Sequence, residues 1–193
     1  MEVIKYTIDK KVNEKAKKSM LYWSMASMSI FFGGFCSYYL VMHGNGNWLT
    51  FNLPSLFFIS TAVIILSSFT IVMAQKAIQK DDYKNAQTGM LLTWILGLAF
   101  CITQIMAWKA LYAQGVVFAG KQSNVAGSIL YVITFMHFLH LVAGLMAVTV
   151  SLIKVRKRRY SADNYLGLSL TAIFWHFLDA LWVILFLFLY LIR

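Results

Sequence analysis

Residues 165–191 read YLGLSLTAIFWHFLDALWVILFLFLYL, an apolar stretch in which Asp179 is the single Asp, Glu, Lys or Arg. A helix needs about 20 such residues to cross the hydrocarbon core of a bilayer, so this stretch can span a membrane. The chain as a whole is 60% hydrophobic and 12% charged, which is typical of a polytopic membrane protein. Residues 165–191 therefore predict a transmembrane helix with one embedded carboxylate.

Four further apolar stretches precede this one, and none of them contains Asp, Glu, Lys or Arg. They cover residues 19–42, 53–75, 85–108 and 126–153. The sequence thus predicts an all-α membrane protein, a bundle of five transmembrane helices that forms one domain over residues 19–193. Residues 1–18 are charged and mixed in sign, unlike a signal peptide, and are predicted to be a cytoplasmic tail.

The connecting segments alternate between basic and weakly charged, and this alternation predicts the orientation. Cytoplasmic loops of membrane proteins collect Lys and Arg. With the tail and the second and fourth connections inside, the cytoplasmic side holds fourteen of the seventeen Lys and Arg residues, against Lys109, Lys121 and Arg193 outside. The N-terminus is therefore predicted to be cytoplasmic and the C-terminus to lie outside. The same topology accounts for the net charge of +10, so no nucleic-acid partner is expected.

Four ionisable side chains fall inside the predicted spans, where such groups are costly and usually face protein. His137 and His140 share a face of the fourth span, and His176 and Asp179 share a face of the fifth. Counted from the inner ends of their spans at ~1.5 Å per residue, His140 and Asp179 both lie ~20 Å along their helices. We therefore expect the two pairs to meet as one polar cluster between the last two helices.

Three interpretations of this cluster stay open on spacing alone. Imidazoles from two helices could hold a b-type haem, or the three His residues and Asp179 could form a thin metal site. Polar side chains could instead hydrogen-bond between packed helices, which is commoner and is the interpretation that we favour.

Cys36 and Cys101 lie in apolar stretches without CxxC or Cys/His spacing, so neither a disulfide framework nor a zinc site is predicted.

Two helices also carry residues that resemble a known family. The stretch from Phe174 to Trp182, FWHFLDALW, is similar to the W-H-F-V-D-x-x-W signature of the last helix of cytochrome c oxidase subunit III, with Leu178 in place of Val. In the fourth span, Gly127-Ser128, Thr134, His137, His140 and Gly144 resemble the family's G-S … T-G-x-H-G-x-H-x-x-x-G helix, with Phe138 in place of Gly. Phe31-Phe32-Gly33-Gly34 adds a weaker match. The chain resembles the five-helix form of this haem-copper oxidase family.

The resemblance implies a non-catalytic subunit of a proton-pumping complex that reduces O2, located in the bacterial cytoplasmic (inner) membrane. In that family subunit III packs on subunit I, contacts further oxidase subunits and binds phospholipid, while haem and copper are held by the partner subunits. No catalytic, cofactor-binding or metal-binding residue is then expected in this chain. By the same resemblance His140, Lys154 and Lys157 are candidate phospholipid contacts.

The chain departs from the family pattern at three positions inside the membrane. Three intramembrane glutamates of the family are replaced here by Met28, Ala107 and Ser169, which leaves Asp179 as the embedded acid.

Alternatives within the superfamily are subunit III of a quinol oxidase and the homologue that accompanies some nitric-oxide reductases. An alternative of another class is a small membrane cytochrome b that carries haem on its own helices.

Overall fold

The fold is seen in a computed structural model that describes residues 2–44, 53–120, 124–162 and 164–192, with side chains from Lys11 onward. In these ranges it consists of five helices: α1 (Glu2–His43), α2 (Leu56–Ile78), α3 (Tyr83–Ala113), α4 (Val125–Arg156) and α5 (Leu166–Ile192). All five are long and apolar enough to cross a membrane, the first within Lys11–His43. The prediction of an all-α membrane protein with five spanning helices is therefore confirmed.

The helices run past the predicted spans at several ends. α1 continues without a break through the segment predicted as a tail, so the boundary at residue 18 stays a prediction about where the membrane begins. The orientation of the termini likewise stays a prediction.

Polar caps explain where two of the helices begin. The Asp82 carboxylate accepts a hydrogen bond from the Asn85 backbone N–H (3.1 Å) at the start of α3. The Asn124 side chain accepts one from the Ala126 backbone N–H (2.9 Å) at the start of α4. Such caps satisfy backbone donors that have no partner in the first helical turn.

Small residues set the distances between the inner helices. A Cβ on Gly89 of α3 would lie 2.9 Å from the Thr70 backbone oxygen of α2, so these two helices approach at backbone distance. A Cβ on Gly144 of α4 would lie 2.8 Å from the Leu178 side chain of α5. Without a hydrophobic driving force inside a bilayer, close backbone approach of this kind is what holds helices together.

α1 is the peripheral helix of the bundle. It packs against α4 and α5, and Phe32 and Tyr39 are its buried side chains within the described part of the chain. Elsewhere α1 presents large apolar groups to the outside, such as Trp23, which is 76% exposed. A surface of this kind is suited to lipid or to another membrane protein.

Candidate functional site

Asp179 lies at the middle of α5 and is almost completely buried, with 4% of its surface exposed. Its Oδ2 accepts a hydrogen bond from the Ser68 hydroxyl of α2. The same Ser68 oxygen lies 3.0 Å from Nδ1 of His176, one turn before Asp179 on α5. Asp179, Ser68 and His176 therefore form a hydrogen-bonded chain that joins α5 to α2, which we call the Asp-Ser-His chain.

The sequence predicts that His176 and Asp179 of α5 meet His137 and His140 of α4. No hydrogen bond joins these two pairs in the described residues. Both α5 side chains bond to Ser68 of α2 instead. The reason is the rotation of α5: the side that touches Gly144 of α4 carries Leu178, and successive residues point about 100° apart around a helix. In the described residues Asp179 thus bonds to Ser68 of α2 rather than to His140 of α4.

His137 lies in a closed aromatic environment. It has no exposed surface, and neither ring nitrogen has a hydrogen-bond partner within the described part of the chain. Its ring centroid lies 5.1 Å from that of Trp182, 6.1 Å from Phe100 and 6.3 Å from Phe32. This histidine therefore packs as an aromatic ring where α1, α3, α4 and α5 meet.

His140 makes a different contact from the other three predicted residues. It is half-buried, and its Nδ1 lies 2.7 Å from the Met136 backbone oxygen one turn earlier on α4. Its ring centroid lies 5.7 Å from that of Phe32 of α1. Within the described ranges no three His, Cys, Asp or Glu side chains come together in a group that could hold a metal ion. Asp179 and His176 thus bond to α2, whereas His137 and His140 both pack against Phe32 of α1.

The main polar links between helices were not predicted from the sequence. Four tryptophan indoles donate across helix interfaces to hydroxyl groups: Trp175 to Ser67 (2.8 Å), Trp182 to Thr61 (3.0 Å), Trp108 to Thr134 (3.0 Å) and Trp94 to Thr149 (3.1 Å). The first two join α5 to α2, and the last two join α3 to α4. An indole gives such a bond together with a large packing area, so these pairs fix both the distance and the register of the helices.

The His137→Phe variant should leave the free energy of unfolding unchanged or raise it by up to about 1 kcal/mol. A buried polar group without a partner costs about 1–3 kcal/mol, and phenylalanine keeps the aromatic packing without that cost. Unfolding of the purified chain in detergent, followed by tryptophan fluorescence, measures the change. His176→Phe is the matched control and should destabilise, because it removes the hydrogen bond with Ser68. Clear destabilisation by His137→Phe would contradict the packing role.

A second polar site lies at the end of the bundle predicted to be cytoplasmic. A pocket of about 380 Å³ there is lined by three cations and by polar and apolar side chains: Lys17, Lys154, Arg159, Tyr160, Asn164, Leu166, Gly167 and Leu170. The lining includes Lys154 of the predicted lipid contacts but neither Lys157 nor His140. The Lys154 Nζ lies 6.0 Å from the centroid of the Tyr160 ring. Burial raises the pKa of Tyr160, so its hydroxyl stays neutral, and the charged side chains among the described lining residues are all cations.

The fold and these contacts define a polytopic helical membrane subunit whose embedded polar groups join its own helices. The chain matches the family described as "Cytochrome c oxidase subunit III" over residues 8–192. It is 30% identical to "Cytochrome c oxidase subunit 3" of Thermostichus vulcanus over 176 residues, which cover 87% of this chain and 83% of the relative. It is 29% identical to "Probable cytochrome c oxidase subunit 3" of Nocardia farcinica over 180 residues, 89% of this chain and 85% of the relative. The chain belongs to the cytochrome c oxidase subunit III family, and it is a subunit III of a haem-copper oxidase.

Membership of this family makes the chain an accessory part of an oxidase with several subunits, in which catalysis is a property of the complex. The family itself does not carry the redox centres. The resemblance seen in the last helix is thereby confirmed over nearly the whole chain.

Proposed function

We propose that this chain packs directly against subunit I in a bacterial cytoplasmic membrane and stabilises it as a non-catalytic subunit. Haem and copper belong to the partner subunits in this proposal. The observation that supports this proposal is that buried polar side chains of α5 bond to another helix of the same subunit. The indoles of Trp175 and Trp182 and the carboxylate of Asp179 all bond to hydroxyl groups of α2, as in a scaffold.

The electron donor proposed for the complex is cytochrome c, the donor in the relatives' names. A quinol oxidase remains the alternative within the superfamily, and the donor is a property of the other subunits. Steady-state oxidation of reduced cytochrome c and of a soluble quinol by the purified complex decides between the two.

Affinity purification of this chain from its native membranes in mild detergent tests the proposal. A larger chain with haem and copper should co-purify, and this chain should show no Soret band once it is dissociated from the complex. A Soret band retained by the separated chain would identify a small cytochrome b instead. Failure to recover any haem-copper subunit in the purified material would overturn the accessory role.

We further propose that the pocket lined by Lys17, Lys154 and Arg159 holds a phospholipid head group. The three cations attract a phosphate, no acidic group stands among the lining residues that the structure describes, and charge-assisted hydrogen bonds from Lys and Arg would hold the phosphate. The apolar Leu166 and Leu170 in the same lining suit the start of an acyl chain. Lys157, which is not part of the lining, is expected to contribute less than Lys154.

The Lys154→Gln variant should therefore retain several-fold less anionic phospholipid than the wild-type complex. Each charge near a phosphate is worth about 1 kcal/mol, roughly a factor of five in affinity. Native mass spectrometry of complexes purified in parallel counts the bound lipids. Lys157→Gln is the matched control, since it removes the same charge from the same connection outside the pocket. Equal lipid loss from both variants would contradict the assignment to this pocket.

A further inference from the structure

The Asp-Ser-His chain ends at Nε2 of His176. His176 is half-buried, and its Nδ1 is used by Ser68. Its Nε2 has no hydrogen-bond partner within residues 2–44, 53–120, 124–162 and 164–192. Nε2 is also not among the fully enclosed polar atoms without a partner, so it reaches the surface of the bundle where α2 and α5 meet.

Nε2 of His176 lies too deep in the membrane to contact lipid head groups or bulk water. Asp179 is the middle residue of α5 (Leu166–Ile192), and Ser68 is one residue beyond the middle of α2 (Leu56–Ile78). His176, three residues before Asp179, lies ~4.5 Å from the middle of its helix at 1.5 Å per residue. Half of the hydrocarbon core measures about 15 Å, so neither head groups nor bulk water reach His176. Lipid tails cannot form a hydrogen bond, and an open polar group among them is costly.

The hydrogen bonds of the chain also specify what kind of group would satisfy Nε2. When Asp179 is ionised, Ser68 donates to it and accepts from His176 Nδ1–H, so Nε2 of the neutral ring is an acceptor. When Asp179 is protonated, every bond in the chain can reverse, and Nε2–H becomes a donor. A hydroxyl or a side-chain amide can serve in both states, since each can donate and accept.

The surface around Nε2 is shaped for another helix. Ile65, which is 40% exposed, lies one turn before Ser68 on the same side of α2. Ala180 is exposed one turn after His176 on α5, and its small side chain permits close approach by a neighbouring backbone. We define the surface formed by Ile65, Ser68, His176 and Ala180 as the His176 face.

We propose that the His176 face docks a transmembrane helix of another oxidase subunit, which presents a hydroxyl or side-chain amide to His176 Nε2 near the middle of the membrane. This inference rests on the proposed function, because it requires a partner subunit. It goes further by assigning the face and the chemistry of the contact. The occupant is a protein helix rather than lipid, because only a protein supplies hydrogen-bonding groups at this depth.

Photo-crosslinking in native membranes tests the docking. Benzoylphenylalanine is placed at Ala180 or at Ile65, and irradiation precedes purification of the complex. The depth-matched control is Leu98, the middle residue of α3 (Tyr83–Ala113), which is 41% exposed against 40% for Ile65. Ala180 and Ile65 should give adducts with a second subunit, whereas Leu98 should give lipid adducts. Lipid adducts alone at Ala180 and Ile65, or equal subunit crosslinking at Leu98, would overturn the assignment.

The hydrogen bond is tested by a second substitution in the same complex. His176→Phe should reduce the crosslinking yield from Ala180 several-fold, while His140→Phe, which replaces a half-buried ring on α4, should leave it unchanged. An unchanged yield with His176→Phe would contradict the contact at Nε2. If no haem-copper subunit co-purifies, the proposed function fails; if it co-purifies and Ala180 gives only lipid adducts, the docking alone fails.

Discussion

Replacing Trp175 by alanine should lower the free energy of unfolding by about 3–5 kcal/mol, the range for removal of a fully buried large aromatic side chain. Trp175 is 1% exposed and lies where four helices meet. Its indole N–H donates to Ser67 of α2 (2.8 Å), and its ring atoms lie 2.7 Å from where a Cβ on Gly97 of α3 would be. Cε3 and Cζ3 of the same ring lie 3.4 Å from where a Cβ on Gly144 of α4 would be. Alanine would therefore leave a cavity between these helices.

Thermal or detergent-induced unfolding of the purified subunit, followed by circular dichroism, measures this loss. Trp23→Ala is the matched control: it removes the same side chain from α1, where it is 76% exposed, and should change stability by less than about 0.5 kcal/mol. Trp175→Phe separates packing from hydrogen bonding. It should cost less than alanine, because most of the ring remains while the bond to Ser67 is lost. Similar losses from Trp23→Ala and Trp175→Ala would contradict the central position of Trp175.

The five spans could be predicted because hydrophobicity over about 20 residues is a property of the chain itself. The helix ends were less predictable, since polar residues continue a helix beyond the hydrocarbon core. α3 begins at Tyr83, after the Asp82 cap, and ends at Ala113, whereas the apolar stretch covers residues 85–108. Capping residues and turns therefore determine where a helix begins and ends, whereas the apolar stretch determines the part that spans the membrane.

The partners of the embedded polar groups could not be predicted in the same way. Spacing of three residues places His176 and Asp179 on one face of α5, but the rotation of that face depends on neighbouring helices. Trp175 seats between Gly97 and Gly144, and this packing turns Asp179 toward α2. Weak pairwise polar contacts inside membranes do not override packing of this size.

The hydroxyl partners were missed because serine and threonine give an ambiguous signal in a transmembrane helix. Ser67 donates to the backbone oxygen of Ile64 (2.6 Å) as well as accepting from Trp175, and Thr61 donates to that of Phe57 (2.7 Å) while accepting from Trp182. Such residues satisfy themselves within the helix and need no partner. Only the three-dimensional arrangement shows which of them also receive an indole N–H.

Replacing Gly89 by leucine should cost about 3 kcal/mol, the upper part of the range for overpacked interiors. A Cβ at Gly89 would lie 2.9 Å from the Thr70 backbone oxygen and 3.0 Å from Ala74 Cβ. The obstacle is backbone, so it cannot move as the end of a flexible side chain would. Separation of α2 from α3 would also strain the hydrogen bond between the hydroxyls of Thr70 and Thr93 (2.7 Å), one turn beyond Gly89.

Gly33→Leu is the matched control for this substitution, because a Cβ at Gly33 of α1 meets nothing within 4 Å. Both variants add the same side chain at a glycine inside a helix, where leucine has the higher helix propensity. Unfolding of the isolated subunit should therefore show a large loss for Gly89→Leu and no loss for Gly33→Leu. In the assembled oxidase the exposed side of α1 can contact lipid or a neighbouring subunit, whereas Gly89 is enclosed between helices of this subunit. Equal stability of Gly89→Leu and the wild type would mean that α2 and α3 can separate without cost. The close approach of their backbones would then not be what holds this pair of helices together.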